Sequence, residues 1–101
     1  MRMRRLGENP YAAFVVTGME GEDRYQVLCR WSADGREYIG YEIYAIDGCY
    51  AMIGCVNNQG GYVPYGQQQE ETMKQIQDPL LREIVLYCRG KVGECMCLNA
   101  G

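Results

Sequence analysis

The sequence contains no histidine. That removes the commonest general base near neutral pH and the commonest metal ligand. Serine occurs once, at Ser32, in a stretch (Ser32-Ala33-Asp34-Gly35) that reads as a turn. With no histidine to activate it, serine-type hydrolysis of the usual form is excluded. Paired C-x-x-C units and Cys/His sets, the strong signatures of structural zinc, are missing. No apolar run approaches the roughly 20 residues of a membrane span. The start, MRMRRLGENP, is basic but has no apolar core behind it, so it does not read as a secretory signal.

What is present fits one folded domain spanning residues 1–101. A chain of 101 residues buries roughly two thirds of its unfolded surface. Apolar residues make up 48%, which argues against disorder. The net charge of −3 argues against bulk binding to nucleic acid or to an anionic membrane. The expected location is the cytoplasm, where six cysteines are reduced thiols rather than a disulfide framework.

The chain is organised around Arg36 to Val56, which reads as two strands joined at Asp47-Gly48. Asp-Gly suits a two-residue type I′ turn. That turn would pair Ile46 with Cys49, Tyr44 with Ala51 and Glu42 with Ile53, and would set Tyr41 opposite Gly54. Both faces of this hairpin are mostly apolar, so it is expected near the sheet centre, with a helix on one face and partial cover on the other.

Before it, Met1–Pro10 is a basic lead-in whose ordinary reading is a solvated, frayed or edge segment. Tyr11 to Thr17 is a short β-former strand. Gly18 to Asp23 is an acidic turn without the ligand spacing of a calcium loop. Arg24 to Trp31 alternates, with Tyr25, Val27, Cys29 and Trp31 on one face. A four-residue loop after it would pair Trp31 with Arg36 and Arg30 with Glu37. Residues 57–66, NNQGGYVPYG, read as a loop. Residues 67–89 read as a broken helix: a polar part with Glu70 and Lys74 at i,i+4, then a restart at Asp78-Pro79 with Asp as N-cap. The second part carries the apolar stripe Leu80, Leu81, Ile84, Val85 and Cys88, ending at Gly90. Residues 90–101 are a loose tail or a short strand.

Three groups of residues are candidates for function. Tyr, Gly and Asn on one loop is a recognition mixture, which marks Asn57, Asn58, Tyr62 and Tyr65 for partner binding. Tyr38 and Tyr44 join them, because Tyr25, Tyr38, Tyr44 and Glu42 could share a sheet face; the ordinary alternative is that tyrosines fill a core whose edge touches water. Cys95-Met96-Cys97, with Cys88, offers soft ligands for zinc or copper, against the ordinary reading of cysteine as a small buried hydrophobe. Arg2, Arg4 and Arg5, with aromatic residues, could serve a single-strand nucleic-acid binder.

The run RYQVLCRWSADGREYIGYE is loosely similar to the YrzB-like bacterial proteins of unknown function. That resemblance implies a small β-plus-helix module and no activity. The expected fold is α+β: a meander of four to five antiparallel strands with a C-terminal helical segment on one face. The expected function is non-enzymatic and needs no cofactor. The chain would occupy the surface of a protein or a protein–nucleic acid complex, in the manner of a phage or mobile-element inhibitor of host defence such as an anti-CRISPR. Direct nucleic-acid contact is the lesser expectation. A cysteine-based metal or thiol module is the rival.

Overall fold

The structure is a computed structural model that describes residues 2–6, 13–31, 38–46 and 50–100. Six strands follow one another: β1 (Arg2–Arg5), β2 (Ala13–Thr17), β3 (Asp23–Trp31), β4 (Tyr38–Ala45), β5 (Ala51–Val56) and β6 (Tyr62–Pro64). Among the described residues they are followed by one helix, α1 (Pro79–Ala100). Each strand pairs antiparallel with its neighbour in sequence, giving a single sheet in the order β1-β2-β3-β4-β5-β6. The architecture is the expected α+β meander, with six strands rather than four or five.

Alternation decides which residues form the core. Phe14 and Val16 on β2, Tyr25 and Val27 on β3, Tyr41 and Ile43 on β4, and Val56 on β5 all point to one face and are buried. Ile84, Val85 and Cys88 of α1 pack onto them with Tyr62 and Ile76. The Phe14 and Tyr87 rings meet edge to face, 5.2 Å between centroids. The stripe read from the sequence is therefore the one that covers the sheet.

Two registers differ from expectation. The β4–β5 ladder pairs Tyr44 with Met52, and a bulge between Ile43 and Tyr44 then sets Ile43 opposite Gly54 and Glu42 opposite Cys55. The extra residue on β5 is Ile53, which packs against the core. Tyr41 lies opposite Val56, not Gly54; an aromatic does lie over Gly54, but it is Tyr62 of β6. The β3–β4 ladder shifts at Trp31, which pairs with Tyr38, and Arg30 pairs with Gly40. Neither Trp31–Arg36 nor Arg30–Glu37 is a pair in this register. Asp47-Gly48 and the Ser32–Gly35 turn lie outside the described residues.

The helix begins where the sequence placed it. Asp78 caps it, accepting the Leu80 N–H at 3.0 Å through Oδ1, and Pro79 takes the first helical position. The polar segment before it is not helical. Glu71 bridges to Tyr62, Asn57 Nδ2 donates to Glu70, and a turn at Thr72–Gln75 is closed by Thr72 N–H donating to Gln75 Oε1. At the other end α1 passes through Gly90, so residues 91–100 are helix rather than tail or strand.

Candidate functional site

The described helix packs on one sheet face only, which turns attention to the other. Directly paired residues of antiparallel strands share a face, so the registers place two rows of side chains there. One row runs Arg4, Val15, Gln26, Tyr44, Met52. The next runs Ala13, Leu28, Glu42, Cys55, Val63. In the first row Val15 is buried, Arg4 is exposed and Gln26, Tyr44 and Met52 are partly exposed; the whole second row is partly exposed. Apolar positions dominate both rows, and their charged members are Arg4 and Glu42.

Polar contacts order the middle of this face. The Tyr44 hydroxyl donates to Glu42 Oε1 at 3.4 Å. Burial, followed by the nearby Glu42 charge, raises the Tyr44 hydroxyl above the ordinary tyrosine range, so it stays a neutral donor. Arg30 lies 3.4 Å from the Cys55 sulfur. Tyr50, 56% exposed, stacks on Tyr44 with ring centroids 5.4 Å apart and planes 23° off parallel. The result is a half-exposed aromatic pair flanked by Met52, Leu28 and Cys55, with Glu42 as its acidic edge.

The sequence-predicted residues scatter rather than gather. Tyr62 is buried, 3% exposed, with its hydroxyl donating to the Ile53 carbonyl; burial pushes its pKa up to about 12. It is a core residue. Asn57 is structural: its Oδ1 accepts the N–H of Gln59 and of Gly61, holding the turn into β6. Asn58 is exposed beside it, and Tyr65 is 71% exposed beyond the end of β6. Tyr25 and Tyr44 lie on opposite faces, because Tyr25 pairs with Ala45 and Gln26 with Tyr44. Tyr38 pairs with Trp31 through the backbone; its side chain lies outside the described part. Of the expected set, Tyr44 alone is placed by the register on the helix-free face. The neighbours sequence reasoning missed are Tyr50 and Met52; Met52 faces Tyr44 because the ladder starts at Ala45–Ala51, one residue off the register that a two-residue Asp47-Gly48 turn would set.

The cysteine reading fares differently at each member. Cys88 is fully buried between helix and sheet, and burial raises its thiol well above the ordinary range. Cys95 and Cys97 belong to α1 rather than to an extended tail; their side chains lie outside the described part. Among the described residues no group of three His, Cys, Asp or Glu side chains is arranged to hold a metal. Arg2, Arg4 and Arg5 form the edge strand β1. Arg4 pairs with Asp23 at 3.3 Å in an exposed contact.

A second feature lies at the sheet end nearest the helix start. Asp78 receives Arg24 at 2.8 Å and the Tyr25 hydroxyl on its Oδ2, while its Oδ1 caps the helix. Beside this knot is a cleft of about 500 Å³ lined by Arg2, Met19, Arg24, Pro79, Leu80 and Glu83. Met19 stands on the β2–β3 turn, 98% exposed. Among the described residues no helix is long and apolar enough to cross a membrane.

No family model, curated protein or solved structure matches this chain. The likeness of residues 24–42 to the YrzB-like proteins therefore carries no argument about function.

Proposed function

We propose that this chain is a non-enzymatic binding module that holds a protein partner on the helix-free face of its sheet. The observation that carries the reading is the Tyr44–Tyr50 stack set among Leu28, Met52 and Cys55 on that face. Tyrosine supplies large contact area with few rotors to order, and such residues dominate interface energies when apolar neighbours surround them. A protein surface suits this face better than single-stranded nucleic acid. Glu42 sits beside Tyr44, Arg4 is already matched by Asp23, and the net charge is −3; stacked bases would bring phosphates into that setting. The narrower form of the proposal, an inhibitor of host defence from a phage or mobile element, is supported by size and composition alone.

The test is capture from a host lysate with tagged, reduced protein, with and without nuclease, beside Tyr44→Ala and Tyr50→Ala. A protein that survives nuclease and moderate salt should be held by wild type. Each substitution should weaken it by about 2 kcal/mol or more and leave the melting temperature nearly unchanged, since both rings are at least partly exposed. Equal retention on all three proteins would sink this face as the site. Nucleic acid recovered alone, and lost with salt, would replace the reading with a nucleic-acid one.

A further inference from the structure

β1 ends the sheet, and its outer side pairs with no described strand. The other edge is closed: Glu71 N–H donates to the Tyr62 carbonyl at 2.8 Å, and Pro64 has no N–H to offer. The β1–β2 ladder shows which backbone groups β1 has left over. Leu6 N–H donates to the Ala13 carbonyl at 3.0 Å. Hydrogen-bonded pairs alternate along an antiparallel ladder, so Leu6, Arg4 and Arg2 turn their backbone toward β2. Met3 and Arg5 turn theirs outward, with two donors and two acceptors.

The side chains then select the guest. Three of the four β1 residues are arginine, and Arg4 alone of these is in an ion pair among the described residues. Arg2 and Arg4 stand on the helix-free face and Arg5 on the other, so a strand laid along β1 meets positive charge on both sides. Beyond the Arg2 end lies the cleft that Arg2 and Arg24 help to line. A second copy of β1 would set arginine near arginine in any register, which is unfavourable. Nucleic acid could use the guanidinium groups, but its phosphate–sugar backbone has no row of N–H donors at strand spacing to meet the two outward carbonyls. An acidic extended peptide uses both.

We infer that β1 is an acceptor edge for an acidic, extended segment of a partner protein, which adds to the sheet as a seventh strand and pairs with the backbone of Met3 and Arg5. Main-chain bonds supply affinity and the arginines supply selection, as in other strand-addition complexes. The inference stands apart from the helix-free face and is tested separately.

The probe is a short peptide alternating glutamate and valine, with a lysine–valine peptide as control. Wild type should bind the acidic peptide at least about tenfold more tightly than the basic one, with affinity falling as salt rises. On binding, the Met3 and Arg5 amides should gain protection from hydrogen exchange, and those of Arg2 and Arg4 should change little. Arg5→Ala removes the charge alone and should weaken binding by about threefold. Arg5→Pro also removes an outward N–H that β2 does not use, so it should weaken binding by at least about tenfold at an unchanged melting temperature. Equal binding of the two peptides, no binding at all, or unprotected Met3 and Arg5 amides in wild type would each overturn the inference. So would an oligothymidine bound more tightly than the peptide with those amides unprotected.

Discussion

Asp78→Ala should be among the most damaging single changes outside the apolar core. Three losses combine. The helix loses its N-cap, worth about 1 kcal/mol. The Tyr25 hydroxyl, on a residue 7% exposed, loses its acceptor in a place water barely reaches, which costs about 1–2 kcal/mol. The Arg24 ion pair, with side chains 38% and 25% exposed, adds about 0.5 kcal/mol. The sum is about 3 kcal/mol, or roughly 12–20 °C in melting temperature for a domain of this size. Tyr25→Phe should cost about 1 kcal/mol, because Asp78 keeps Arg24 and the Leu80 N–H. The double variant should then cost about 1 kcal/mol less than the sum of the singles, since no orphaned hydroxyl remains. Thermal and urea unfolding of the four proteins measure this directly. Additivity within about 0.5 kcal/mol would refute the knot as a coupled unit. The pH dependence gives a second check. Burial works against the Asp78 charge, but the hydrogen bonds from Tyr25 and the Leu80 N–H, with Arg24 alongside, outweigh it and hold the carboxyl below its usual range. A depressed carboxylate contributes stability above its unfolded pKa of about 3.9 and loses it as pH falls through the folded value. The gap between wild type and Asp78→Asn should therefore be constant near neutrality and close below about pH 4.

Two further predictions concern the sheet. A Cβ at Gly54 would fall 2.6 Å from the Tyr62 hydroxyl oxygen, and one at Gly40, where φ is 146°, would meet the Val56 carbonyl oxygen. Both alanine variants should lose about 1–3 kcal/mol in urea unfolding, with Gly40→Ala the worse because backbone yields less than a ring; a smaller loss at Gly40 would refute that ranking. Tyr25 and Tyr62 are both raised chiefly by burial, Tyr62 to about 12, with Asp78 and Glu71 as the next contributors respectively. Their stabilising share is intact below the unfolded value of about 10 and disappears as pH climbs toward 12. In an ultraviolet titration, at least these two of the nine tyrosines should ionise late, with unfolding; simultaneous ionisation of all nine near the ordinary value would contradict their burial.

The elements that sequence reasoning placed well are those whose signals are local. Alternation in residues 24–31 marked the core face, and Asp78-Pro79 marked the helix start through a cap that needs only its own turn. What it missed depends on distant partners. The hairpin register is already one residue off where Tyr44 meets Met52, and the bulge beside Ile53, which has no composition of its own, makes it two residues off beyond. Residues 67–77 carry helix-favouring pairs but only Met73 and Ile76 to bury, and short helices without an apolar face do not hold; Asn57 and Tyr62 capture Glu70 and Glu71 instead. Gly90 reads as a stop, yet a single glycine costs a helix about 1 kcal/mol and no proline follows it. Tyr62 and Tyr65 look alike on the page. Only the pairing of Tyr62 with Val56 reveals that the first enters the core and the second does not.

Because every strand bonds to its neighbour in sequence, the sheet can grow hairpin by hairpin through short loop closures, each with a small entropic penalty. The helix is the part that must travel. Its first anchor joins Asp78 to Arg24, 54 positions away. Part of the conformational entropy of bringing the two halves of the chain together thus falls on that polar junction. A chain in which that junction is weakened keeps a sheet that is locally specified but lacks the clasp that fixes where its lid begins.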